Sequence, residues 1–407
     1  MSLAAGHPAV RACRKPEHEL ADVVRRYGES YRRDHPMPLS HQRVLRDIQW
    51  CRTARLGGHR ESCDKCDYVS YAYNSCRNRH CPKCQSLAKA KWLEKRNAEL
   101  LPVPYFHNVF TLPHELNSLI LGNRRLMLNL LFRSAAQTLL QFGRNHLNGK
   151  LGFTMVLHTW DQTLGAHFHV HCVIAGGALA DDGEQWIWSG SKFLFAVHAL
   201  SKVFRGKFLD GLKAAQREKQ LRLGDGVTDS DLQTMIDGVY AKPWVVYSKR
   251  PFAGPRQVLD YLGRYTHRVA IGNHRIQAVD EDRVSFRYRD RVDGDSAKVM
   301  TLEAPEFIRR FLLHVLPSGF MRIRHFGFLA NRRKKQNLRA CRVHLGQDPS
   351  PPPQPERTAT ERISELTGVD VTRCPRCGQR PLRRTEVPPL RFSIDSWPRA
   401  PALLDSS

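Results

Sequence analysis

The stretch His167-Phe168-His169-Val170-His171-Cys172-Val173-Ile174-Ala175-Gly176-Gly177 decides how this chain is read. Its three histidines fall at i, i+2 and i+4 and alternate with Phe168 and Val170. Successive side chains of a β-strand point to opposite faces, so the imidazoles share one face and the apolar residues take the other. Two neutral imidazoles on one strand face can chelate a single divalent ion. The competing reading is a group of half-buried sheet histidines, a common place for this residue.

Working outward, GFTMVLHTWDQ (152–162) has strand character and is separated from the histidine strand by a short connection, Thr163 to Ala166. The two therefore pair as a hairpin. That geometry brings Gln162 or Asp161, at the end of the first strand, toward His169, and either could add an oxygen ligand. HNVFTLP (107–113) and KPWVVYSKRPF (242–252) also read as strands, and RRLMLNLLFRSAAQTLLQFG (124–143) as a long leucine-rich core helix. Residues 178–240, with a short WIW strand and a helical stretch from His198 to Ala215, read as an insertion. RQVLDYLGRYTHR then forms a helix with Tyr261 and Tyr265 one turn apart on the same face, beside Arg264 and Arg268. RVAI-GN-HRIQAV predicts a hairpin turning at Gly272-Asn273, followed by strands VSFRYRD and AKVMTL and a helix from Pro305 to Val315. The fold class is α+β.

Toward the N-terminus, two helices cover residues 18–56, the first with Leu20, Val23, Val24 and Tyr27 on one stripe and the second capped by Ser40 and ending at Gly57-Gly58. Two C-x-x-C knuckles follow, Cys63/Cys66 and Cys81/Cys84, separated by 14 residues. Two knuckles can complete one tetrahedral structural Zn²⁺ site. Cys51, His59, Cys76 and His80 lie in the same segment and could form a second zinc site. Between Arg52 and Arg96 stand eleven Lys/Arg against four Asp/Glu, which suits a DNA-contacting module.

The whole chain of 407 residues carries a formal net charge of +25, which points to a nucleic-acid partner. RIRHFGFLANRRKKQNLRACR (322–342) concentrates eight Lys/Arg and no acid, with Phe326 and Phe328 interleaved. Arg322, Arg324, Arg332, Arg333, Lys334 and Lys335 are the expected phosphate contacts, and the aromatics are expected to stack on bases. No apolar run approaches the ~18 residues of a membrane span, and the N-terminus lacks a signal-peptide core. The eleven cysteines are therefore expected as reduced thiols and metal ligands in the cytoplasm, at the nucleoid. A proline-rich linker (PSPPPQP, 349–355) leads to a tail with one more knuckle, Cys374/Cys377, which supplies two ligands by itself.

The ordered set SCRNRHCPKCQ, HFHVHCVIAGG, YLGRYTHRVAI and RIRHFGFLANRR resembles the two-tyrosine rolling-circle transposases of bacterial insertion sequences, members of the HUH endonuclease superfamily, from about Leu20 to Leu345. The resemblance implies an HUH-type antiparallel sheet with packed helices, preceded by a small helical and zinc-ribbon domain. It implies that His169 and His171 bind the catalytic metal, Mg²⁺ or Mn²⁺, with Gln162 as third ligand by the hairpin argument. It implies that Tyr261 and Tyr265 are paired nucleophiles forming a covalent 5′-phosphotyrosine on single-stranded DNA at transposon ends. No G-x-x-x-x-G-K-[ST] occurs, so unwinding is expected from a host helicase or supercoiling. The expected organisation is a zinc-binding domain (1–100), a nuclease domain (101–320, with 178–240 inserted), a basic segment (321–346), a linker (347–362) and a tail (363–407). The alternatives are a non-catalytic zinc-ribbon regulator, or a plasmid replication initiator or relaxase with the same chemistry.

Overall fold

The computed structural model describes residues 16–190, 194–252, 257–258, 261, 263, 270–351 and 356–390. Its strands are β1 (Gly58–Ser62), β2 (Val69–Tyr73), β3 (Tyr105–Thr111), β4 (Gly149–Trp160), β5 (Ala166–Ala180), β6 (Trp186–Trp188), β7 (Val246–Phe252), β8 (Ile276–Asp280), β9 (Arg283–Asp290), β10 (Ser296–Glu303), β11 (Ile323–Gly327) and β12 (Arg383–Val387). The described residues divide into two compact units that are discontinuous in sequence. One holds 16–91, 271–308 and 356–390, the other 92–270 and 309–351. Residues 271–308 and the tail thus group with the N-terminal segment, whereas a linear division along the chain would separate them.

The larger unit is built on a mixed-order sheet, β11-β4-β5-β3-β7, with β6 added beside β5. All its pairings are antiparallel. The period-2 pattern of β5 explains the layering. Phe168, Val170, Cys172 and Ile174 point to one face with Phe106 and Phe110 of β3 and Phe153, Met155 and Leu157 of β4. The helix Arg124–Leu147 covers this face with Met127, Leu131, Ala135 and Leu139. The segment 178–240, expected as an insertion, contributes to this core. Leu200, Phe204, Phe208 and Leu212 of the helix Val197–Arg217, and Leu232, Ile236 and Val239 of the helix Asp229–Ala241, are buried in that same core. The opposite face of β5 carries the histidines.

In the smaller unit the helix Leu20–Asp34 buries Leu20, Val23, Val24 and Tyr27, as its stripe predicts. It is tied to the β8–β9 segment, where Arg26 donates to the Val279 carbonyl at 2.9 Å and the Asp282 N–H donates to the Tyr27 hydroxyl at 3.2 Å. The second helix is shorter than expected, Leu39–Trp50, with Pro38 rather than Ser40 at its N-cap. It stops before Cys51, and the chain then enters β1. At the expected Gly272-Asn273 turn the chain forms a 3₁₀ turn, Asn273–Arg275, leading into β8; Arg268 and Val269 of the expected first strand lie outside the described residues. β8, β9 and β10 form one three-stranded sheet, and β12, β1 and β2 another.

Candidate functional site

The histidine face of the large sheet is assembled by register. His158 of β4 stands opposite His169 of β5, and His171 stands between Val156 of β4 and Val109 of β3. One ring nitrogen from each of His158, His169 and His171 lies within 4.8 Å of the others. The Nδ1 of His169 is 3.1 Å from the His167 carbonyl. A carbonyl only accepts, so Nδ1 carries the proton and Nε2 keeps the lone pair that a metal needs. Three neutral imidazoles converging from two paired strands have the donor chemistry to hold a divalent ion.

The structure adds two histidines that sequence reasoning passed over. His158 lies in the middle of the predicted strand, two residues before Trp160. Counting register back from the short 161–165 turn places it across from Phe168; a shift in register between His158 and Trp160 sets it against His169 instead, so the strand end offered Gln162 and Asp161. Asp161 is tied into the turn: its Oδ1 accepts from the Thr163 and Gly165 N–H groups at 2.8 and 2.7 Å. Gln162 stands beside it in that turn. The second addition is His107 of β3, from the predicted HNVFTLP strand, buried at 3% exposure.

Tyr261 is helical, buried, and packed with Val258 in the cluster that contains Tyr105, Val173 and Phe328. Its hydroxyl lies 2.7 Å from His171 Nδ1 and 2.5 Å from His107 Nε2, and these two nitrogens are 3.0 Å apart. Burial, with the nearby Lys249 ammonium adding to it, pushes the His107 imidazolium down to about 4. At neutral pH the ring is therefore uncharged. Arg264, Tyr265 and Arg268 lie outside the described residues.

A polar chain borders this face. Arg96 Nη1 donates to His325 Nε2 at 2.7 Å, and His325 Nδ1 lies 2.9 Å from the Thr154 hydroxyl. Burial, with Arg96 and Lys334 adding, pushes His325 down to about 3. The basic segment is more structural than its composition suggests. Arg322 is buried, Arg324 lies over the Phe132 ring at 4.2 Å, and Lys334 pairs with Glu99 at 2.9 Å. Arg332, Arg333 and Lys335 are exposed. The aromatics expected to meet bases are elsewhere: Phe328 is fully buried, and Phe326 stacks on Phe153.

The expected pairing of the knuckles Cys63/Cys66 and Cys81/Cys84 is not what the structure contains. Cys81 and Cys84 converge with Cys51 and Cys76, while Cys63 and Cys66 converge with Cys374 and Cys377. The β1–β2 hairpin is the reason. Cys51 and Cys76 flank its base, where Arg52 N–H donates to the Asn74 carbonyl at 3.1 Å, and Cys63/Cys66 sit at its tip. Five extended residues separate base from tip by about 17 Å, far beyond one coordination sphere.

Around Cys51 the sulfurs are 3.4 Å (Cys51–Cys84), 3.5 Å (Cys76–Cys84) and 3.6 Å (Cys51–Cys81) apart. Tetrahedral zinc with bonds of about 2.3 Å needs about 3.8 Å. Hydrogen bonds among the thiols lower Cys84 and raise Cys76, so without a cation the group ionises only in part. A dication would let all four become thiolates. His59 on β1 and His80, whose N–H donates to Asn78 Oδ1 at 2.9 Å, belong to neither thiol group among the described residues.

A family described as "Transposase zinc-binding domain" matches residues 23–112, and one described as "Putative transposase" matches residues 152–337. The chain is 47% identical over 383 residues to "Putative transposase y4qJ" of Sinorhizobium fredii, covering 91% of this chain and 95% of that protein. It belongs to this transposase family. It is also 30% identical over 336 residues to "Transposase for insertion sequence element IS801" of Pseudomonas savastanoi pv. phaseolicola, covering 81% of this chain and 80% of the relative. No solved structure matches the chain. The zinc-binding match contains Cys51, Cys76, Cys81 and Cys84 and supports structural zinc there; it ends far before Cys374. Among the described residues no helix is long and apolar enough to cross a membrane.

Proposed function

We propose that this transposase cleaves and rejoins single-stranded DNA at the ends of an insertion sequence by rolling-circle transposition, with Tyr261 as a nucleophile. The observation that carries the reading is the Tyr261 hydroxyl held between His171 and His107, with His169 and His158 beside them. A divalent ion on the three imidazoles would polarise the scissile phosphate and offset charge developing on its oxygens. Mg²⁺ or Mn²⁺ would serve, with Mn²⁺ favoured because imidazole nitrogen suits it better than the oxygen-seeking Mg²⁺.

The protein's own groups account for activation. A phenol with a reference pKa of about 10 is mostly protonated at neutral pH and needs an acceptor. Neutral His107 Nε2 accepts the proton, and His171, protonated at Nδ1, donates to the phenolate oxygen. That oxygen attacks the phosphorus, the P–O3′ bond breaks, and the departing 3′ oxygen takes up a proton. The product is a 5′-phosphotyrosine and a free 3′-OH, which can attack in reverse to rejoin strands without ATP. Tyr265 is the proposed second nucleophile, allowing another cleavage while the first end is held. Arg264, Arg268, Arg332, Arg333 and Lys335 are proposed phosphate contacts, with unwinding left to host proteins.

The test is denaturing electrophoresis of the full-length protein with labelled single-stranded element ends and Mn²⁺. Wild type should give a covalent adduct that EDTA abolishes, and Tyr261→Phe together with Tyr265→Phe should give none. Adduct at wild-type level in the double variant would refute the assignment. Native-gel binding with no adduct on any end would favour a non-catalytic zinc-ribbon regulator.

A further inference from the structure

The tail knuckle has no place in the nuclease chemistry, and the zinc-binding family match stops short of it. In the structure its two sulfurs close on the knuckle at the tip of the β1–β2 hairpin. Cys63 Sγ lies 3.6 Å from Cys377 Sγ, and Cys66 Sγ lies 3.6 Å from Cys374 Sγ. These separations are too long for a disulfide, about 2.05 Å, and match the sulfur spacing of tetrahedral zinc, about 3.8 Å.

The backbone around both knuckles has one pattern. Lys65 N–H donates to Cys63 sulfur at 3.4 Å, and Tyr68 N–H to Cys66. In the tail Arg376 N–H donates to Cys374, and Gln379 N–H to Cys377. Each turn is closed the same way, by Cys63 N–H to the Tyr68 carbonyl at 3.1 Å and by Cys374 N–H to the Gln379 carbonyl at 2.9 Å. Amide donors aimed at sulfur favour the thiolate, the form that binds metal. Tail docking has independent support from β12, which pairs with β1 over five residues, and from Arg384 Nε, which donates to Glu61 Oε1 at 2.9 Å.

We infer that Cys63, Cys66, Cys374 and Cys377 hold a second zinc ion, separate from the one at Cys51, Cys76, Cys81 and Cys84, that clamps the C-terminal segment onto the N-terminal sheet. Its halves come from segments more than 300 residues apart (308 between Cys66 and Cys374). The hairpin-tip knuckle is therefore a half-site until the tail arrives, and β12 covers an edge of β1 that is otherwise open. The zinc at the hairpin base uses ligands local in sequence and does not depend on the tail.

The inference is tested on the full-length chain by native mass spectrometry and by cysteine alkylation during graded chelation. Wild type should carry one zinc ion more than Cys374→Ser with Cys377→Ser, and Cys374→His with Cys377→His should match wild type. In wild type, Cys63, Cys66, Cys374 and Cys377 should resist alkylation and then become reactive together at one chelator concentration, apart from the Cys51 group. Equal zinc counts in wild type and the serine variant, or prompt alkylation of Cys374 and Cys377 while Cys63 and Cys66 stay protected, would each overturn it. The alkylation pattern needs no variant, so a serine variant that misfolds still leaves a decisive result. None of these readouts depends on nuclease activity.

Discussion

Mild acid should destabilise the large unit through His314. This residue is 1% exposed, and its Nε2 is 3.1 Å from the Leu164 carbonyl. The carbonyl can only accept, so Nε2 carries the proton, and Nδ1 is left to accept from the Thr159 hydroxyl at 3.2 Å. The neutral ring is therefore fully satisfied. Burial pushes its pKa down to about 4, with the Arg124 guanidinium adding to the effect and the Leu164 contact opposing it. In the unfolded chain the reference value is about 6.5. Between these values the unfolded state binds more protons, so stability rises with pH. The contribution is fully present above about 6.5 and is lost as pH falls toward 4. Linkage with these two values gives a loss of about 2 kcal/mol between about pH 7 and pH 5, approaching about 3 kcal/mol at pH 4.

The assay is urea unfolding at both pH values, followed by tryptophan fluorescence. Trp160 is a suitable reporter, its ring 6.1 Å from that of His314. His314→Gln keeps an amide donor for Leu164 and cannot titrate. Its loss of stability between the two pH values should be smaller than that of wild type by about 2 kcal/mol. An identical loss in both proteins would refute the reasoning, because the acid sensitivity would then come from other groups.

Two further outcomes are expected. His158→Ala removes one of three converging imidazoles, so Mn²⁺ affinity at the histidine face should fall about 10-fold or more. Isothermal titration on zinc-loaded protein would read this, and unchanged affinity would remove His158 from the ligand set. Gly327→Ala should be strongly destabilising, because Gly327 has φ +64° and a Cβ would lie 1.5 Å from the Leu151 carbonyl oxygen. A loss on the order of 3 kcal/mol is expected where backbone must shift, read as a lowered melting temperature; a wild-type melting temperature would mean that β11 leaves the sheet there without cost.

Local pattern determined much of this protein. The alternation of Phe168, Val170 and Cys172 with His167, His169 and His171 specified a strand with an apolar and an imidazole face, because side-chain direction in a strand alternates whatever surrounds it. The stripe of Leu20, Val23, Val24 and Tyr27 specified the first helix for the same kind of reason. The acceptance of four sulfurs by one ion was likewise legible in the C-x-x-C spacing, since each knuckle is a local turn.

Which knuckles share an ion was not legible. That depends on which end of the β1–β2 hairpin each cysteine occupies and on a strand, β12, that returns from more than 300 residues away (323 from Glu61 to Arg384). The third imidazole was hidden similarly, since His158 gains meaning only through its register with His169. His107 gains it only because β3 lies on the other side of β5. The basic run at 322–342 shows the converse. Charge and aromaticity count alike in composition, but register buries Phe328 and Arg322 and leaves Arg332 and Arg333 exposed. Sequence spacing decides which way a side chain points along its own element. Only the packing of distant elements decides what it meets there.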